Sequence, residues 1–449
     1  MKTRQPVFAS IGLSLLFLAV YGGTNWLTAL RTDVGVLHFG WEKHIPFVPW
    51  MIIPYMSIDL FFVAAPFFCR SPEELSTLVK RIAFAILVAA ACFLIFPLRF
   101  ACEHPPVEGW LVVVYRMFRG FDRPYNLLPS LHVTLGAILV AHYSCRSSAW
   151  LRAILWPWFG LVFLSTLLTY QHHIIDVIGG FALAAWCFYL FRETHARLPV
   201  QSNWRVGSYY AAGAILAAAV GLPFGLWGVL FLWPASSLAI VAAAYFGLGP
   251  GIYRKAAGRI PFSARILLWP CILGQRLSLA WYRTRCRPWD EVTPGVWVGR
   301  KLNDAEASEA IRRGVTAVLD LTAEFSEAKP FLALPYLNVP VLDLTAPPQA
   351  QLAQAANFIQ QNAWNGIVYI HCKAGYSRSA AAVGGYLLES NCAMTPVGAL
   401  RRLRQSRPSI IIRTEIESAL RRFHDSPSRC DLQQRNIYSI GTVKCHVSS

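Results

Sequence analysis

The sequence predicts a multi-pass α-helical membrane domain followed by an α/β domain, and three observations carry that division. Across 449 residues, 55% are hydrophobic and only 14% are charged, a balance far from that of an ordinary soluble protein. Apolar runs of spanning length, about 17 to 25 residues each, fill the first half. Beyond Asp290 the pattern changes to short β-branched runs alternating with periodic helical segments.

The apolar runs lie near residues 8–30, 47–69, 82–100, 128–145, 150–170, 174–191, 206–222 and 224–248. The stretch 208–248 is too long for one span at ~1.5 Å rise per residue, and Gly-Leu-Pro at 221–223 breaks it in two. The opening MKTRQP precedes an apolar run with no small-residue cleavage site, so the first span is expected to stay. Lys2 and Arg4, then Arg70, Lys80 and Arg81, then Arg146 and Arg152, then Arg192, Arg197 and Arg205 put the amino terminus and alternate loops inside. An even number of spans returns the chain to that side. The loop after the third span breaks the rule, with Arg99, Arg116, Arg119 and Arg123 on the outer face, and charge placed against the bias marks a task.

The net charge is +17, yet no basic strand-and-aromatic or helix-turn-helix pattern accompanies it, so nucleic acid is not expected. Anionic membrane lipid is the expected partner. From Arg254 to Arg287 there are eight Lys or Arg and no Asp or Glu, interleaved with ILLWPCIL and LSLAWY. This reads as a basic amphipathic segment on the inner membrane face. The eleven cysteines lie at irregular intervals without a CxxC pair or a Cys/His cluster, so no disulfide framework, metal or cofactor is expected. The expected domains are a membrane domain over 1–248, a basic linker over 249–288, the α/β domain over 289–425 and a polar tail over 426–449.

Within the α/β domain, VTAVLDL (315–321) and GIVYIHC (366–372) read as buried strands, and 349–361 and 380–389 as helices. The second strand runs into His371-Cys372, five residues follow, and Arg378-Ser379 opens a helix. A loop of that shape, Lys373, Ala374, Gly375, Tyr376 and Ser377, turns successive backbone N–H groups toward one point at a helix amino terminus, a cradle for a phosphate dianion. The same positive end favours the thiolate of Cys372, a nucleophile. Arg378 would fork onto two phosphate oxygens, where Lys is a poor substitute. A leaving alcohol needs a proton from a separate carboxylic acid, and Asp343 in VPVLDLTAPP occupies a turn-rich loop suited to supply it. Ser379 would assist departure of the thiolate, and His371 would orient the loop. Asp320, which ends an earlier strand, reads as structural.

These residues resemble the dual-specificity branch of the protein tyrosine phosphatase superfamily over roughly 289–425. Within it, HCKAGYSRSA looks closest to the mitochondrial phosphatidylglycerophosphate phosphatase, and HCKAG is shared with phosphoinositide phosphatases. The resemblance implies a phosphomonoester substrate held by an anionic headgroup near Lys373. Tyr376 stands where both groups tend to place a second basic residue, so a phosphoprotein remains the alternative substrate.

A second constellation lies in the first half: RMFRGFDRP (116–124), PSLH (129–132) and STLLTYQHHIID (165–176) map to one end of the expected bundle. Two histidines, a carboxylate and arginines at one membrane face can transfer phosphoryl groups without a metal, one imidazole attacking phosphorus and the other protonating the leaving alcohol. The three segments resemble the type 2 phosphatidic acid phosphatase superfamily over roughly 91–185, which implies a six-helix core (about 80–192) plus an extra helical hairpin. On that match His172 is the nucleophile, Asp176 orients it, His132 is the general acid, and Ser130, Arg116 and Arg123 bind phosphate. The Ser165-Thr166 pair, where the superfamily usually has Ser-Arg, resembles the inositol phosphorylceramide synthase branch, whose members pass the group to an alcohol; hydrolase and transferase both remain open. His173 reads as structural. Asp59, costly inside a span, reads equally as functional or as a buried hydrogen-bonded carboxylate.

The combined expectation is a multi-pass cell-membrane (inner-membrane) enzyme with two phosphoryl-transfer sites, a His-dependent one on the outer face and a Cys-dependent one in the cytoplasm. Both are expected to act on phospholipid phosphate. The rival reading is a membrane-anchored protein tyrosine or dual-specificity phosphatase in signalling.

Overall fold

The computed structural model describes residues 4–121, 124–192, 202–408 and 410–426. The expected polar tail therefore lies almost wholly outside the described residues. The chain forms two compact units, Met1–His195 with Pro223–Val229, and Ala196–Leu222 with Leu230–Ser449. Compactness thus divides the chain near residue 195, whereas the sequence reading set its boundary at 248.

The first unit is helical: α1 (Arg4–Ala29), α2 (Ile52–Ala64), α3 (Pro72–Ile95), α4 (Leu111–Phe121), α5 (Leu131–Ser144), α6 (Ala149–Leu168) and α7 (Ile174–Leu190). The start of α3 shows the local logic. Ser71 caps it by accepting from Glu74 N at 3.2 Å, Pro72 takes the first position, and Glu73 and Glu74 face the positive end. Ile82, Ile86 and Phe93 of α3, Ile138 and Leu139 of α5, and Phe159 and Val162 of α6 share one buried cluster. Phe8, Leu15, Leu60, Ile95 and Ile154 stay exposed, a surface suited to hydrocarbon.

Helix α4 falls in a segment expected to be loop. Its Leu111, Val114 and Tyr115 form a short apolar stripe packed on Ile52 and Tyr55 of α2, a tertiary contact that the local pattern does not announce. Among the described residues, five segments are long and apolar enough to cross a membrane: Arg4–Ala29, Pro49–Phe68, Pro72–Ile95, Ala149–Leu168 and Trp204–Tyr253; α5 and α7 are shorter apolar helices.

The second unit begins with α8 (Trp204–Gly221) and α9 (Leu232–Ala243), which pack on each other. The run 224–248 was expected as one helix, but α9 spans only 12 residues. A wide turn at Ala244–Leu248 and a tight one at Gly249–Tyr253 follow, made possible by Gly247 (φ +149) and Gly249 (φ +69). The stretch 249–288, expected as linker, carries α10 (Phe262–Leu267) and α11 (Trp269–Arg283) within this unit.

The remaining elements are β1 (Trp289–Thr293), β2 (Val296–Arg300), α12 (Asp304–Arg312), β3 (Val315–Thr322), β4 (Tyr336–Val341), α13 (Gln349–Asn362), β5 (Ile367–Cys372), α14 (Ser377–Glu389), α15 (Pro396–Ser406) and α16 (Thr414–His424). The sheet order is β1-β2-β5-β3-β4, antiparallel only at β1-β2. Helices α13 to α16 bury one face around Val298, Leu319 and Ile370. Ala307 and Ala310 of α12, with Phe331, cover Val318 and Tyr369 on the other. A parallel sheet covered on both faces explains the continuous apolar runs of β3 and β5, and places their carboxyl ends side by side, with Asp320 opposite His371.

Candidate active sites

Strand β5 delivers Cys372 and α14 begins at Ser377, so residues 373–376 form the short loop that the spacing predicts. Peptide planarity puts the C=O and N–H of one unit on opposite sides. The Lys373 carbonyl accepts from Lys301 N (3.1 Å) and the Ala374 carbonyl from Arg407 Nη2 (3.3 Å). The N–H groups of Ala374 and Gly375 therefore turn the other way, as a phosphate cradle requires. Gly375 has φ +73, and a Cβ there would lie 2.5 Å from the Gly299 carbonyl, so only glycine fits.

Asp343, on the loop after β4, comes to the same point: Oδ2 is 2.5 Å from Lys373 Nζ and Oδ1 is 3.3 Å from Arg378 Nη2. Burial works against charge on this carboxyl, but the Arg378 and Lys373 cations outweigh it and hold it at about 2. Arg378, 2% exposed, is forked by both Glu324 oxygens (2.7 and 3.0 Å) and donates to the Val341 carbonyl at 2.9 Å. Burial disfavours its charge too, yet Glu324 and Asp343 keep it protonated well above the usual guanidinium range. The fork fixes the plane of the guanidinium.

Cys372 is 3% exposed, and Ser379, in the first turn of α14, has a buried hydroxyl without a hydrogen-bond partner among the described residues. Ser377 spends its hydroxyl on the Ile411 carbonyl (2.9 Å), which leaves its backbone N–H for a phosphate. The Tyr376 hydroxyl lies 2.8 Å from Cys286 Sγ, and its ring meets Tyr282 edge-on at 5.7 Å. His371 Nε2 is 2.6 Å from Glu327 Oε2, whose other oxygen accepts from Lys301 (2.5 Å). Asp320 accepts from Lys255 Nζ (2.5 Å), Tyr336 OH (2.8 Å) and Thr322 N (2.7 Å), a wholly structural set of partners. Asp320, Glu327 and His371 are close enough to share a metal, but the two lysine ammoniums already neutralise the carboxylates.

In the first unit, the amino-terminal turns of α5 and α7 pack side by side through small residues. A Cβ on Gly180 would lie 2.6 Å from the Ser130 carbonyl oxygen, so glycine permits the approach by which Ser130 N donates to the Asp176 carbonyl at 2.9 Å. Ser130 Oγ caps α5, accepting from Val133 N at 3.3 Å. His172 Nδ1 is 3.6 Å from Asp176 Oδ2, and that same oxygen accepts from His173 N at 2.8 Å. The His132 ring stacks on Tyr55 at 3.9 Å between centroids. His132 and His172 both line one cavity of about 540 Å³ whose walls are otherwise mostly apolar, with Asn126 and Asp59 among its polar groups.

His173 is committed elsewhere: Nδ1 meets Glu42 Oε2 at 2.9 Å, and Nε2 accepts from Ala101 N at 3.2 Å. Ser165 and Thr166 turn their hydroxyls onto the Val162 (2.6 Å) and Phe163 (2.7 Å) carbonyls, while the Thr166 carbonyl receives His172 N at 3.0 Å. Arg116 is exposed on α4, and Arg123 lies outside the described residues.

Comparison with known proteins agrees with both halves. Residues 37–190 match the PAP2 superfamily, and residues 296–426 match "Dual specificity phosphatase, catalytic domain". The chain joins a PAP2-superfamily domain to a dual specificity phosphatase domain. Similar relatives are two proteins of Arabidopsis thaliana, phosphatidylglycerophosphate phosphatases PTPMT2 (29% identical, covering 33% of this chain and 67% of that one) and PTPMT1 (29%, covering 28% and 39%). Dual specificity protein phosphatase 26 of Bos taurus is 32% identical over 28% of this chain and 62% of its own. The chain thus spans two thirds of the first relative's length and well under half of the second's. Among solved structures, PTPMT1 matches at 23% identity, covering 33% of this chain and 99% of that one, with a TM-score of 0.29.

The dual specificity phosphatase domain also uses residues that the sequence reading passed over: Glu324 on Arg378, Arg407 on the loop carbonyl, and Lys255 and Gln275 from the basic stretch. Only Glu324 and Glu327 left a usable signal. They follow directly on β3, whose carboxyl end must adjoin that of β5 in a parallel sheet, and a buried arginine needs a carboxylate. In the PAP2 domain the overlooked residue is Glu42, more than a hundred positions from the His173 it holds.

Proposed function

We infer that the chain is a membrane-bound phosphatase with two independent phosphoryl-transfer sites, and that its Cys site removes the phosphomonoester of a phospholipid. The observation that carries the reading is the meeting of Cys372, Arg378 and Asp343 at one loop with Lys373 beside them. Cys372 Sγ attacks phosphorus while Arg378 and the loop N–H groups hold the equatorial oxygens. Asp343 gives its proton to the departing alcohol and then takes one from the water that opens the phosphocysteine. Ser379, with its hydroxyl unspent, donates to the departing sulfur.

Lipid is favoured over phosphoprotein by two features. Lys373 adds a cation for an anionic headgroup, and the unit that holds Cys372 also holds the apolar α8–α9 pair and a basic α11, with Arg276 over Trp269 and, just past the helix end, Arg285 over Trp281. Confinement of enzyme and headgroup to one surface raises effective concentration without added affinity. The name of the two Arabidopsis thaliana relatives, phosphatidylglycerophosphate phosphatase, points the same way, while that of the Bos taurus relative, a protein phosphatase, is the alternative that the test below separates.

The PAP2 site uses His172 as nucleophile, oriented by Asp176, with His132 as acid; Ser130, Arg116 and Arg123 bind the phosphate. Water or a lipid alcohol then takes the phosphoryl group. This site faces outward and the Cys site faces the cytoplasm, with the basic amino terminus inside. The test is phosphate release by the purified full-length protein from a panel of lipid phosphates and a phosphotyrosine peptide. Preference for the peptide would replace the lipid reading with that of a signalling phosphatase.

A further inference from the structure

Deepening the reading of the Cys site, we propose that Tyr245 and Asn203, at the base of the α8–α9 hairpin, are positioning residues that hold the Asp343 loop over the phosphate cradle. The Tyr245 hydroxyl donates to the Asp343 carbonyl at 2.9 Å, and Asn203 Nδ2 donates to the next carbonyl, that of Leu344, at 2.9 Å. Leu344 has φ +61, a conformation that a leucine adopts only when its surroundings impose it. The two donors are themselves joined, since Asn203 N donates to the Tyr245 carbonyl at 3.0 Å.

The same hairpin reaches the acid by a second route. Tyr210 of α8 stacks on Tyr245 at 5.7 Å and its hydroxyl accepts from Gln275 Nε2 at 3.4 Å. Gln275 Oε1 accepts from Lys373 Nζ (3.0 Å), and Lys373 meets Asp343 Oδ2 (2.5 Å). Hairpin, α11, phosphate loop and acid loop therefore close a ring of contacts. The hairpin's other surface is apolar and exposed at Ile215, Leu216, Leu232 and Trp233. An element seated in lipid thus sets the reach of the acid, which ties leaving-group protonation to the bilayer.

This rests on the Cys-site reading, and leaving-group chemistry separates the two. A dinitrophenyl phosphate departs without protonation, whereas an alkyl phosphate needs Asp343. In the full-length protein in vesicles, Tyr245→Phe keeps the ring stack, and Asn203→Ser keeps a side-chain oxygen to cap α8 at Val206 N; each removes the donor to the acid loop without adding charge. Both variants should lose about 10- to 100-fold in kcat/KM on an alkyl phosphate, since misplacement of about 1 Å costs that much, and under about twofold in kcat/KM on the dinitrophenyl ester, because kcat/KM reports the attack of Cys372 and not the later hydrolysis in which Asp343 serves both esters alike. Equal losses on both esters, or none on the alkyl ester, overturn the positioning role. If wild type shows no turnover that Cys372→Ser removes, the Cys-site reading falls, and this proposal with it.

Discussion

Lys373 Nζ lies 2.5 Å from the Asp343 carboxylate, so the cation expected to meet a substrate's phosphate is paired with the acid expected to protonate its leaving group. A phosphate dianion at the loop competes with Asp343 for Lys373 and Arg378. As it takes them over, the carboxyl returns toward its ordinary range and gains the proton it must deliver.

Lys373→Met removes one of the two cations that hold Asp343 at about 2. The carboxyl should then keep its proton to higher pH, and the descending limb of kcat/KM for an alkyl phosphate should move to higher pH. An unmoved limb would exclude Asp343 as the titrating acid. The stability sign follows from the same shift. The folded-state value lies below the unfolded one, about 3.9, so the stabilisation is complete above about pH 4 and is lost as the pH falls toward 2. The stability gap between wild type and Asp343→Asn should narrow over that window.

Lys255, with a side chain 2% exposed, pairs with the fully buried Asp320. Lys255→Met leaves an uncompensated carboxylate in the core and should cost about 3–5 kcal/mol of stability, read as a lower midpoint in thermal unfolding. A fragment beginning at Pro288 lacks Lys255 as well as the Gly258 carbonyl that receives Glu327 N (2.7 Å), so it should be less stable than one beginning at residue 202. Equal midpoints for the two fragments would show that the basic stretch is a mere tether.

What the sequence made legible was local. Cys372, the loop and Arg378 sit on one strand–loop–helix, and their chemistry follows from spacing alone. Asp343 was a candidate because the proposed reaction needs an acid on a loop, and its carboxylate lies beside Lys373 and Arg378. Lys255, Gln275, Tyr245 and Arg407 were not, because each reaches the site from an element far away in sequence, and a lysine in a basic stretch looks the same whether it is solvated or buried. The length of α9 was misjudged for a related reason: an apolar run reports burial or lipid, while Gly247 and Gly249 decided where the helix ends. Helix α4 depended on packing against Ile52 and Tyr55.

Asp176 lies 3.6 Å from His172 Nδ1 and also caps α7 through His173 N. Asp176→Asn retains an oxygen for the cap but loses the charge that supports His172. Activity of the PAP2 site should fall about 10²- to 10⁴-fold with the thermal midpoint little changed. Full activity in this variant would remove Asp176 from the mechanism.

Topology has its own test. In a background without the native cysteines, Glu108→Cys, exposed on the loop after α3, should react with a membrane-impermeant thiol reagent on intact cells, and Ser448→Cys should be protected, because the proposed topology puts an odd number of crossings between the His site and the Cys site. Labelling at both positions would show that only one crossing is made between 206 and 248.

The central claim is that one chain holds two independent phosphoryl-transfer sites, and the most direct measurement is phosphorus turnover on lipid phosphates by Cys372→Ser, His172→Ala and the double variant in the same vesicles. Each single variant should keep the activity that the other loses, and the double variant should have none. Loss of all turnover in either single variant, or turnover that survives in the double variant, would contradict the account.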